Sequence, residues 1–396
     1  MSGTKWLMAG LLAFAPFTAA SAQAPVVRDS AGVRVVANSA PRSAALYRID
    51  PKPLLDLGGG DDELIAPVLA ARFPDGRVVV ETDGSELRWF DPAGRKIRSF
   101  GRKGGGPGEF ERITFVGILP GDTVVAFDAG ARRLTLVGPA GRLARTVSLA
   151  NPARRSVAGL LPRGGFLAGS PGSSGADMQS GVMRDTTRWL AIGPGGDSLS
   201  AVGRFAGTER NIQVTRANGQ ISSMNISGVP FGRVGYVGVD DSVVVVASAD
   251  RYEIRRYSRS GKLLLVASRP FKTESPTAAD VDRIISSGIA TLPPGQEGAA
   301  DRIRQSIRDT PLPKIKPPYD GMVVRSNGEI WVRDFLGPGR PDRTGRWTVF
   351  DRSGVWITTV DTPPGVEPLA IGLDVLLGTW NDTDGVPHVR VFRITR

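Results

Sequence analysis

The 396-residue chain contains no cysteine and a single histidine, His388. Without cysteine there can be no disulfide framework, no thiolate metal site and no cysteine nucleophile. One histidine excludes zinc sites that use several histidines, and it excludes a pair of histidines acting as acid and base. These absences exclude enzymes whose active sites depend on a cysteine or on several histidines.

Long apolar runs are also missing after the first 22 residues, so we expect no stable membrane insertion. Hydrophobic residues make up 41% of the chain, which also has 50 glycines and 30 prolines. That much glycine and proline punctuates many short elements and argues against long helices or a coiled coil. The composition favours one large β architecture.

Positive charge is present but not clustered. The 50 lysines and arginines exceed the 39 acidic residues, giving a formal net charge of +11. The arginines are scattered through every segment, whereas a nucleic-acid binder would group its cations on one face with aromatic residues between them. We therefore expect no nucleic-acid partner. Two interpretations stay open: a solvated basic surface, or an acidic partner such as an anionic envelope polymer.

The N-terminus has the pattern of an export signal. Lys5 supplies a positive start, Trp6 to Phe17 are apolar, and Ala20-Ser21-Ala22 offers the small residues of a cleavage site. The apolar stretch of about 12 residues is too short to span a bilayer as a helix. We predict a signal peptide over 1–22, cleaved after Ala22, an N-terminal extension over 23–45, and a soluble periplasmic or secreted protein.

A turn that ends in glycine recurs along the chain, between strand-like runs rich in valine, isoleucine and aromatic residues. Its glycines are Gly94, Gly141, Gly196, Gly261 and Gly354. Their spacing lies between 47 and 65 residues once a helical-looking insert at 273–318 is set aside. A period of this size with four short strands per repeat is typical of propeller blades.

The two ends of the chain complement each other in this pattern. The last unit offers only three strands, ending with Val389 to Ile394, while Leu54 to Gly58 aligns with the fourth strand of the next unit. The N-terminal segment would then supply the outer strand of the last blade and close the ring. We predict an all-β, six-bladed β-propeller over 46–396 with four-stranded antiparallel blades, and a short helical insert between blades 4 and 5.

Two stretches resemble a known group of proteins. Gly101-Arg102-Lys103-Gly104-Gly105-Gly106-Pro107-Gly108-Glu109-Phe110 resembles the linker of NHL-repeat propellers. Trp347 to Asp351 and His388 to Phe392 are similar to a group of exported bacterial six-bladed β-propellers without assigned activity. The resemblance implies the fold, and a fold of this kind does not specify a function.

The insert at 273–318 is predicted to contain two helices. Ser275-Pro276-Thr277 precedes a periodic run from Ala278 to Ile289, and a second candidate covers 297–308. Four prolines between 311 and 318 then return the chain stiffly to the next strand. Because the insert joins the fourth strand of one blade to the first of the next, we expect it beside the channel mouth, as a cover.

The longest connections, at 170–187, 205–229, 273–318 and 335–345, map to this channel-mouth face, which marks it as the binding side. Trp380, at a strand end, is the tryptophan best placed to stack on a ligand. The chain contains no G-x-S-x-G motif, so no serine nucleophile is predicted that His388 could activate. The predicted ligand-binding residues are Arg102, Lys103, Arg112, Asp128, Asp334, Trp380 and Asn381.

Aspartates end the second strand of successive units, namely Asp83, Asp128, Asp250, Asp334 and Asp382. A strand-terminal aspartate commonly caps its own loop through backbone N–H groups. Alternatively, several could converge on the axis as oxygen ligands of calcium. The residues alone leave both interpretations open.

Two functions follow from these patterns. The first is a monomeric, non-catalytic extracytoplasmic scaffold without a cofactor, whose channel-mouth face binds a protein, peptide or glycan. The alternative is a hydrolase or lactonase of the six-bladed propeller type that depends on calcium or another divalent metal, with the five aspartates as candidate ligands.

Overall fold

A computed structural model describes residues 24–59, 63–65, 69–149, 156–172, 179–240, 243–290, 292, 295–337 and 344–396. The predicted signal peptide over 1–22 lies outside these ranges. The described residues form 27 strands and two α-helices, so the chain is nearly all-β as predicted. Among them, no helix combines the length and the apolar character needed to cross a membrane.

The strands form six sheets that follow one another along the chain. The N-terminal strands are β1 (Val26–Ser30), β2 (Val33–Ala37) and β3 (Arg48–Leu57). Sheet 1 contains β4 (Ala70–Arg72), β5 (Val78–Thr82), β6 (Glu86–Phe90) and β7 (Lys96–Phe100). Sheet 2 contains β8 (Ile113–Leu119), β9 (Thr123–Asp128), β10 (Arg133–Val137) and β11 (Leu143–Ser148). Sheet 3 contains β12 (Ser156–Leu161), β13 (Gly165–Pro171), β14 (Gly181–Ile192), β15 (Ser198–Ala217) and β16 (Gln220–Gly228).

The second half of the chain repeats this arrangement. Sheet 4 contains β17 (Tyr236–Asp240), β18 (Val243–Ala247), β19 (Glu253–Ser258) and β20 (Leu263–Ser268), joined by β1 and β2. Sheet 5 contains β21 (Tyr319–Val324), β22 (Ile330–Asp334), β23 (Arg346–Phe350) and β24 (Trp356–Asp361). Sheet 6 contains β25 (Glu367–Ile371), β26 (Val375–Asn381) and β27 (Pro387–Thr395), joined by β3.

The recurrent turn predicted from the sequence is present in five sheets. Its glycines Gly94, Gly141, Gly196, Gly261 and Gly354 all have positive φ, between 72° and 95°. Each donates its N–H to the carbonyl three residues earlier, as Gly94 does to Asp91 at 2.9 Å. Glycine adopts this left-handed conformation without the steric cost of a Cβ, which explains why it recurs there.

Apolar cores lie between consecutive sheets. Sheet 6 shares such a core with sheet 1, where Leu377 and Val391 pack with Val78. The first strands of the sheets contact one another in the order β4, β8, β12, β17, β21 and β25, and β25 also contacts β4. Mostly four-stranded antiparallel sheets packed in this way fit a β-propeller.

Glycines let the first strands approach closely. A Cβ at Gly159 of β12 would lie 2.4 Å from Val239 Cγ2 of β17, and a Cβ at Gly238 would lie 2.7 Å from Val324 Cγ2 of β21. Each glycine thus leaves room for a side chain of the next sheet's first strand. Any larger residue would push the strands apart.

The predicted pairing between the two ends of the chain is also present. β3 runs antiparallel to β27, with Leu57 opposite Val389 and Leu55 opposite Val391. Leu54 falls between two registered pairs, at a β-bulge. The pairing provides the last sheet with its fourth strand.

The N-terminal extension and the 205–229 connection differ from the prediction. β2 runs parallel to β20, and Asn38 hydrogen-bonds Ser268 O and Gly354 O, so the extension is built into sheets 4 and 5. Sheet 4 therefore has six strands rather than four. Residues 205–229 are mostly strand, because β15 continues beyond β14 and pairs with β16. Sheet 3 accordingly has five strands.

The insert contains the two predicted helices, α1 (Ala278–Ala290) and α2 (Ala300–Asp309), with a 3₁₀ turn at Glu297–Ala299 before α2. Thr277 Oγ1 accepts the Asp280 N–H at 3.2 Å, and Asp280 Oδ2 accepts the Thr277 N–H at 3.0 Å. This reciprocal pair is a capping box with aspartate in the acidic position, and it fixes where α1 begins.

Candidate functional site

A groove of about 520 Å³ lies between the insert and the loops of sheets 3 and 4. One wall is the return segment 311–317, which leads from α2 towards β21. The opposite wall comprises 249–251, between β18 and β19, together with Glu209 of β15 and Arg233, which lies between β16 and β17. This is the end of the sheets where the longest connections lie. We refer to this cavity as the groove.

The return segment gives the groove an apolar wall that faces solvent. Leu312 and Ile315 are 39% and 49% exposed, and both line the cavity. Proline fixes φ, and with prolines at 311, 313 and 317 the segment has little freedom. The segment is tied down at both ends, since Asn211 Nδ2 donates to Thr310 Oγ1 at 3.4 Å and Lys316 N donates to Glu274 O at 2.8 Å. The wall is therefore held in place without a ligand.

An ion-pair network forms the floor on the sheet 3 side. Arg233 donates to Glu209 Oε1 through Nε at 2.8 Å and to Asp250 Oδ1 through Nη1 at 2.8 Å. Arg184 Nη1 reaches the same Asp250 oxygen at 2.7 Å. Burial opposes ionisation of Glu209 and Asp250. Arg233 outweighs burial at Glu209, and the Ser248 hydroxyl with both arginines outweighs it at Asp250, so the pKa of each carboxyl lies below its ordinary value. Asp250, a candidate metal ligand under the alternative prediction, is thus a groove residue that is already paired with two arginines.

Cations outnumber carboxylates in the lining. Arg233, Arg251, Lys314 and Lys316 line the groove against only Glu209 and Asp250. Lys316 Nζ forms an ion pair with Asp280 Oδ2 of α1 at 2.7 Å, and this ion pair holds the Asp280 pKa well below its usual range. The side chains of Arg251 and Lys314 are exposed. The groove therefore combines apolar surface with a net positive charge, which favours an anionic ligand.

A smaller cavity of about 200 Å³ continues the groove beyond Phe271, Lys316 and Pro317, which line both. Asp334, another predicted residue, lines this extension. Its Oδ1 accepts hydrogen bonds from Tyr252 Oη at 2.6 Å and from Arg269 Nη2. Burial, aided by the Asp334 charge, raises the pKa of Tyr252 well above its ordinary value, so the phenol stays a hydrogen-bond donor.

The three predicted cations lie elsewhere, in the loop between β7 and β8. Arg102 donates to Glu109 Oε1 through Nε at 2.9 Å and through Nη2 at 2.7 Å, and Lys103 Nζ donates to Glu111 O at 2.6 Å. Arg112 is exposed, and its backbone N–H donates to Asp128. These contacts organise the glycine-rich loop itself, and none of the three residues lines the groove.

Asp128 has a structural role. It is fully buried, and its carboxylate accepts the backbone N–H groups of Glu111, Arg112, Gly130 and Ala131 at 2.8 to 3.1 Å. Three of these donors share Oδ1 and the fourth is on Oδ2, so both oxygens already bind backbone N–H groups. This is the loop-capping interpretation of the strand-end aspartates, and burial keeps Asp128 from a ligand in solvent.

The remaining strand-end aspartates sit in turns. Asp83 has a positive φ of 57° and donates its N–H to Ile65 O, while Asp382 Oδ1 accepts the N–H groups of Asp384 and Val386. Within the described part of the chain, no three histidine, aspartate or glutamate side chains lie close enough to hold a metal ion. The five aspartates therefore are not gathered around a common centre.

Trp380 and His388 belong to a cluster on the last sheet. The Arg390 guanidinium lies 3.5 Å from the centre of the Trp380 ring and covers one of its faces. Asp56 of β3 accepts from Arg390 Nε at 2.9 Å and lies 2.7 Å from His388 Nδ1, so the cluster ties β3 to β27. Asn381 is exposed at the end of β26.

Sequence reasoning missed most of the groove. Glu209 and Arg233 lie 24 residues apart, and no local pattern indicates that they pair. The sequence predicts the proline-rich return only as a stiff connection, whereas its charged and apolar side chains at 312–316 line the cavity. The signal that could have located the groove is the position of this segment on the same face as Asp250 and Asp334.

No family model matches this chain, and no curated protein matches it. A protein from Bacteroides fragilis described as exported is similar in structure, with a TM-score of 0.52 and 13% identity over 91% of this chain and 100% of that one. A member of the DUF4221 family from Bacteroides vulgatus gives a TM-score of 0.53 and 9% identity over 88% of this chain and 99% of that one. At such low identity the likeness shows a shared fold alone.

Proposed function

We propose that this chain is an extracytoplasmic binding scaffold without catalytic activity, and that it binds an acidic polypeptide segment in the groove. The proposal rests on the groove, which has both exposed apolar side chains and an excess of positive charge. The groove lies on the face with the longest connections. The scaffold would be a closed six-bladed propeller of the NHL-repeat-like type.

Two features support six blades in a closed ring. Sheet 6 shares an apolar core with sheet 1, and the first strands contact one another in an unbroken order that returns to β4. The β3–β27 pairing joins a strand near the start of the described chain to its last strand. The loop at 101–110 supports the NHL-like character, because it folds back on itself. The Phe110 N–H donates to Arg102 O at 2.9 Å, and the Phe110 ring packs beside the Phe100 ring.

The chemistry of the groove defines the ligand. Leu312, Ile315 and Phe271 offer apolar contacts, and burial of each apolar side chain on binding is favourable by about 25 cal/mol per Å². Arg251 and Lys314 offer cations that can pair with carboxylates. An extended peptide with alternating apolar and acidic side chains satisfies both, whereas a basic peptide would be repelled. An acidic glycan would use the cations but leave the apolar wall uncovered.

The experiment is a fluorescence-anisotropy titration with an eight-residue peptide of alternating leucine and glutamate. We expect binding that weakens as salt rises, because the charges are exposed. A double variant, Arg251→Glu with Lys314→Glu, should weaken binding by about tenfold or more. The same peptide with lysine in place of glutamate should bind the unaltered protein at least about tenfold more weakly.

A matched control carries the same change of charge outside the groove. Arg102→Glu with Lys103→Glu alters two of the residues predicted from the sequence, and we expect it to change the affinity by less than about twofold. If this control abolishes binding while the groove variant does not, the ligand site lies at the β7–β8 loop and the groove proposal fails. Circular dichroism of each variant checks that it is folded.

Export is part of the proposal. The signal-peptide pattern over 1–22 and the described export of the Bacteroides fragilis protein support a periplasmic or secreted location. Fractionation of cells that express the full chain, with mass determination of the product, tests it. A product that begins at Gln23 outside the cytoplasm supports the proposal, and an unprocessed chain in the cytoplasm contradicts it.

The metal-dependent alternative has less support. The Asp128 carboxylate accepts four backbone N–H groups, and the carboxylates of Asp250 and Asp334 form ion pairs with arginines. These donor sets do not fit a calcium site, which needs six to eight oxygens. We therefore derive no hydrolytic step for this chain.

A further inference from the structure

β16 is an exposed edge strand without charge. It hydrogen-bonds β15 on one side and ends sheet 3 on the other. Residues 222–226 are all exposed, including Met224 and Ile226 at 43% and 41%. No charged residue occurs between Arg216 and Arg233. An edge with these properties presents open backbone N–H and C=O groups to any strand that approaches.

The outermost strands of the other described sheets carry charge or proline. β7 has Lys96 and Arg98, β11 has Arg145, and β24 ends at Asp361. β1 carries Arg28 and Asp29, and β3 contains two prolines. Charges and prolines at an edge discourage further strand pairing. Of the six outermost strands described, β16 alone has neither.

This fold already completes sheets by adding distant strands at their outer edges. β2 adds to β20 in parallel, and β3 adds to β27. In addition, Arg42 N and Ser43 N donate to the Trp356 and Ile357 carbonyls of β24, both at 2.9 Å. The N-terminal segment thus covers edges of sheets 4, 5 and 6. Among the described residues, the N-terminal segment forms no strand beside β16, the outer strand of sheet 3.

We propose that β16 accepts a β-strand from another polypeptide, with an uncharged centre and acidic residues at both ends. Strand addition supplies main-chain hydrogen bonds whatever the side chains, so the flanks decide which strand binds. On β15, Arg210 lies opposite Gly228 and Arg216 opposite Ile221, so exposed arginines flank the two ends of β16. A second copy would bring the same cations to both ends of the combined sheet. Together with the net charge of +11, that opposes self-pairing.

The test uses a ten-residue peptide in which six alternating threonines and valines are flanked by two glutamates on each side. We expect hydrogen exchange of the full protein to slow at alternate amides of 220–228 when the peptide is added, since only every second N–H faces the open edge. N-methylation of alternate peptide nitrogens, or replacement of the glutamates by lysine, should weaken binding by about tenfold or more.

Two protein variants carry the same charge change on different edges. Met224→Glu should weaken binding by about tenfold, because it places a charge in the middle of the edge strand, opposite the uncharged centre of the peptide. Thr146→Glu on β11, also an exposed edge, should change binding by less than about twofold. Equal effects of the two variants, or exchange protection confined to the groove, would overturn the proposal. So would a dimer in sedimentation velocity that Met224→Glu dissociates. The groove variants leave β16 unchanged, so failure here and failure of the proposed function are separate results.

Discussion

Glu81 at the end of β5 is a buried carboxyl group whose charged form is unfavourable, and its replacement should stabilise the protein at neutral pH. It is 3% exposed and accepts the backbone N–H groups of Gly84 and Leu69. Burial outweighs these hydrogen bonds and raises the pKa of Glu81 from 4.5 to about 6. That difference corresponds to about 2 kcal/mol of lost stability once the group is ionised in both states.

The sign of the pH dependence follows from which state binds the proton more tightly. Between pH 4.5 and 6 the folded protein holds the proton that the unfolded chain has lost, so the contribution of Glu81 to stability falls as the pH rises. Below that window the contribution is fully retained, and above it the cost stays constant. Glu81→Gln cannot ionise, although it keeps only one of the two acceptor oxygens, so its stability relative to the original should rise by about 2 kcal/mol between pH 4 and pH 7.5.

Urea unfolding of both proteins at pH 4, 5, 6 and 7.5 measures this difference. Glu63→Gln serves as the control, because Glu63 is exposed and its removal changes the net charge equally. We expect the control to gain less stability than Glu81→Gln at pH 7.5, because the Glu63 side chain is exposed to solvent. A difference in the free energy of unfolding between Glu81→Gln and the original protein that is the same at every pH, or that grows towards pH 4, would show that Glu81 has no raised pKa in the folded state.

Three further predictions concern individual contacts. Asp128→Ala should lower the free energy of unfolding by about 3 kcal/mol, because it leaves backbone N–H groups unpaired. Asp128→Asn keeps one oxygen and should lower it by about 1 kcal/mol. Equal losses for the two variants in urea unfolding would contradict this prediction. Gly159→Ala should cost about 1 to 3 kcal/mol through its contact with Val239, whereas Gly228→Ala, with open space around it, should stay within about 0.5 kcal/mol. Calcium chloride and a chelator should give the same Tm by calorimetry, and a higher Tm in calcium would support the metal-dependent alternative.

The sequence was sufficient for those parts of the fold that depend on local chemistry. The turn glycines could be located because only glycine adopts their backbone conformation cheaply, and α1 could be located from Thr277 and the apolar spacing that follows. The β3–β27 pairing was predictable because the last unit lacked a strand that the first segment could supply.

Contacts between distant segments were not predictable in the same way. β2 pairs with β20 although more than 200 residues separate them, and the parallel arrangement leaves no turn signal. The sequence predicts a connection over 205–229, where the structure has the greater part of β15 and all of β16. The candidate site was predicted only in part, since Asp250 and Asp334 lie at the groove while Arg102, Lys103 and Asp128 serve their own loops.

Ligand binding in the groove is the proposal on which the function depends, and hydrogen exchange across the whole chain can locate the bound peptide. With the leucine–glutamate peptide at saturation, amides at 249–251 and at Leu312, Lys314, Ile315 and Lys316 should exchange more slowly, and those at 102–112 should not change. Protection confined to 102–112 and to Trp380 and Asn381, with none along the return segment, would contradict the account.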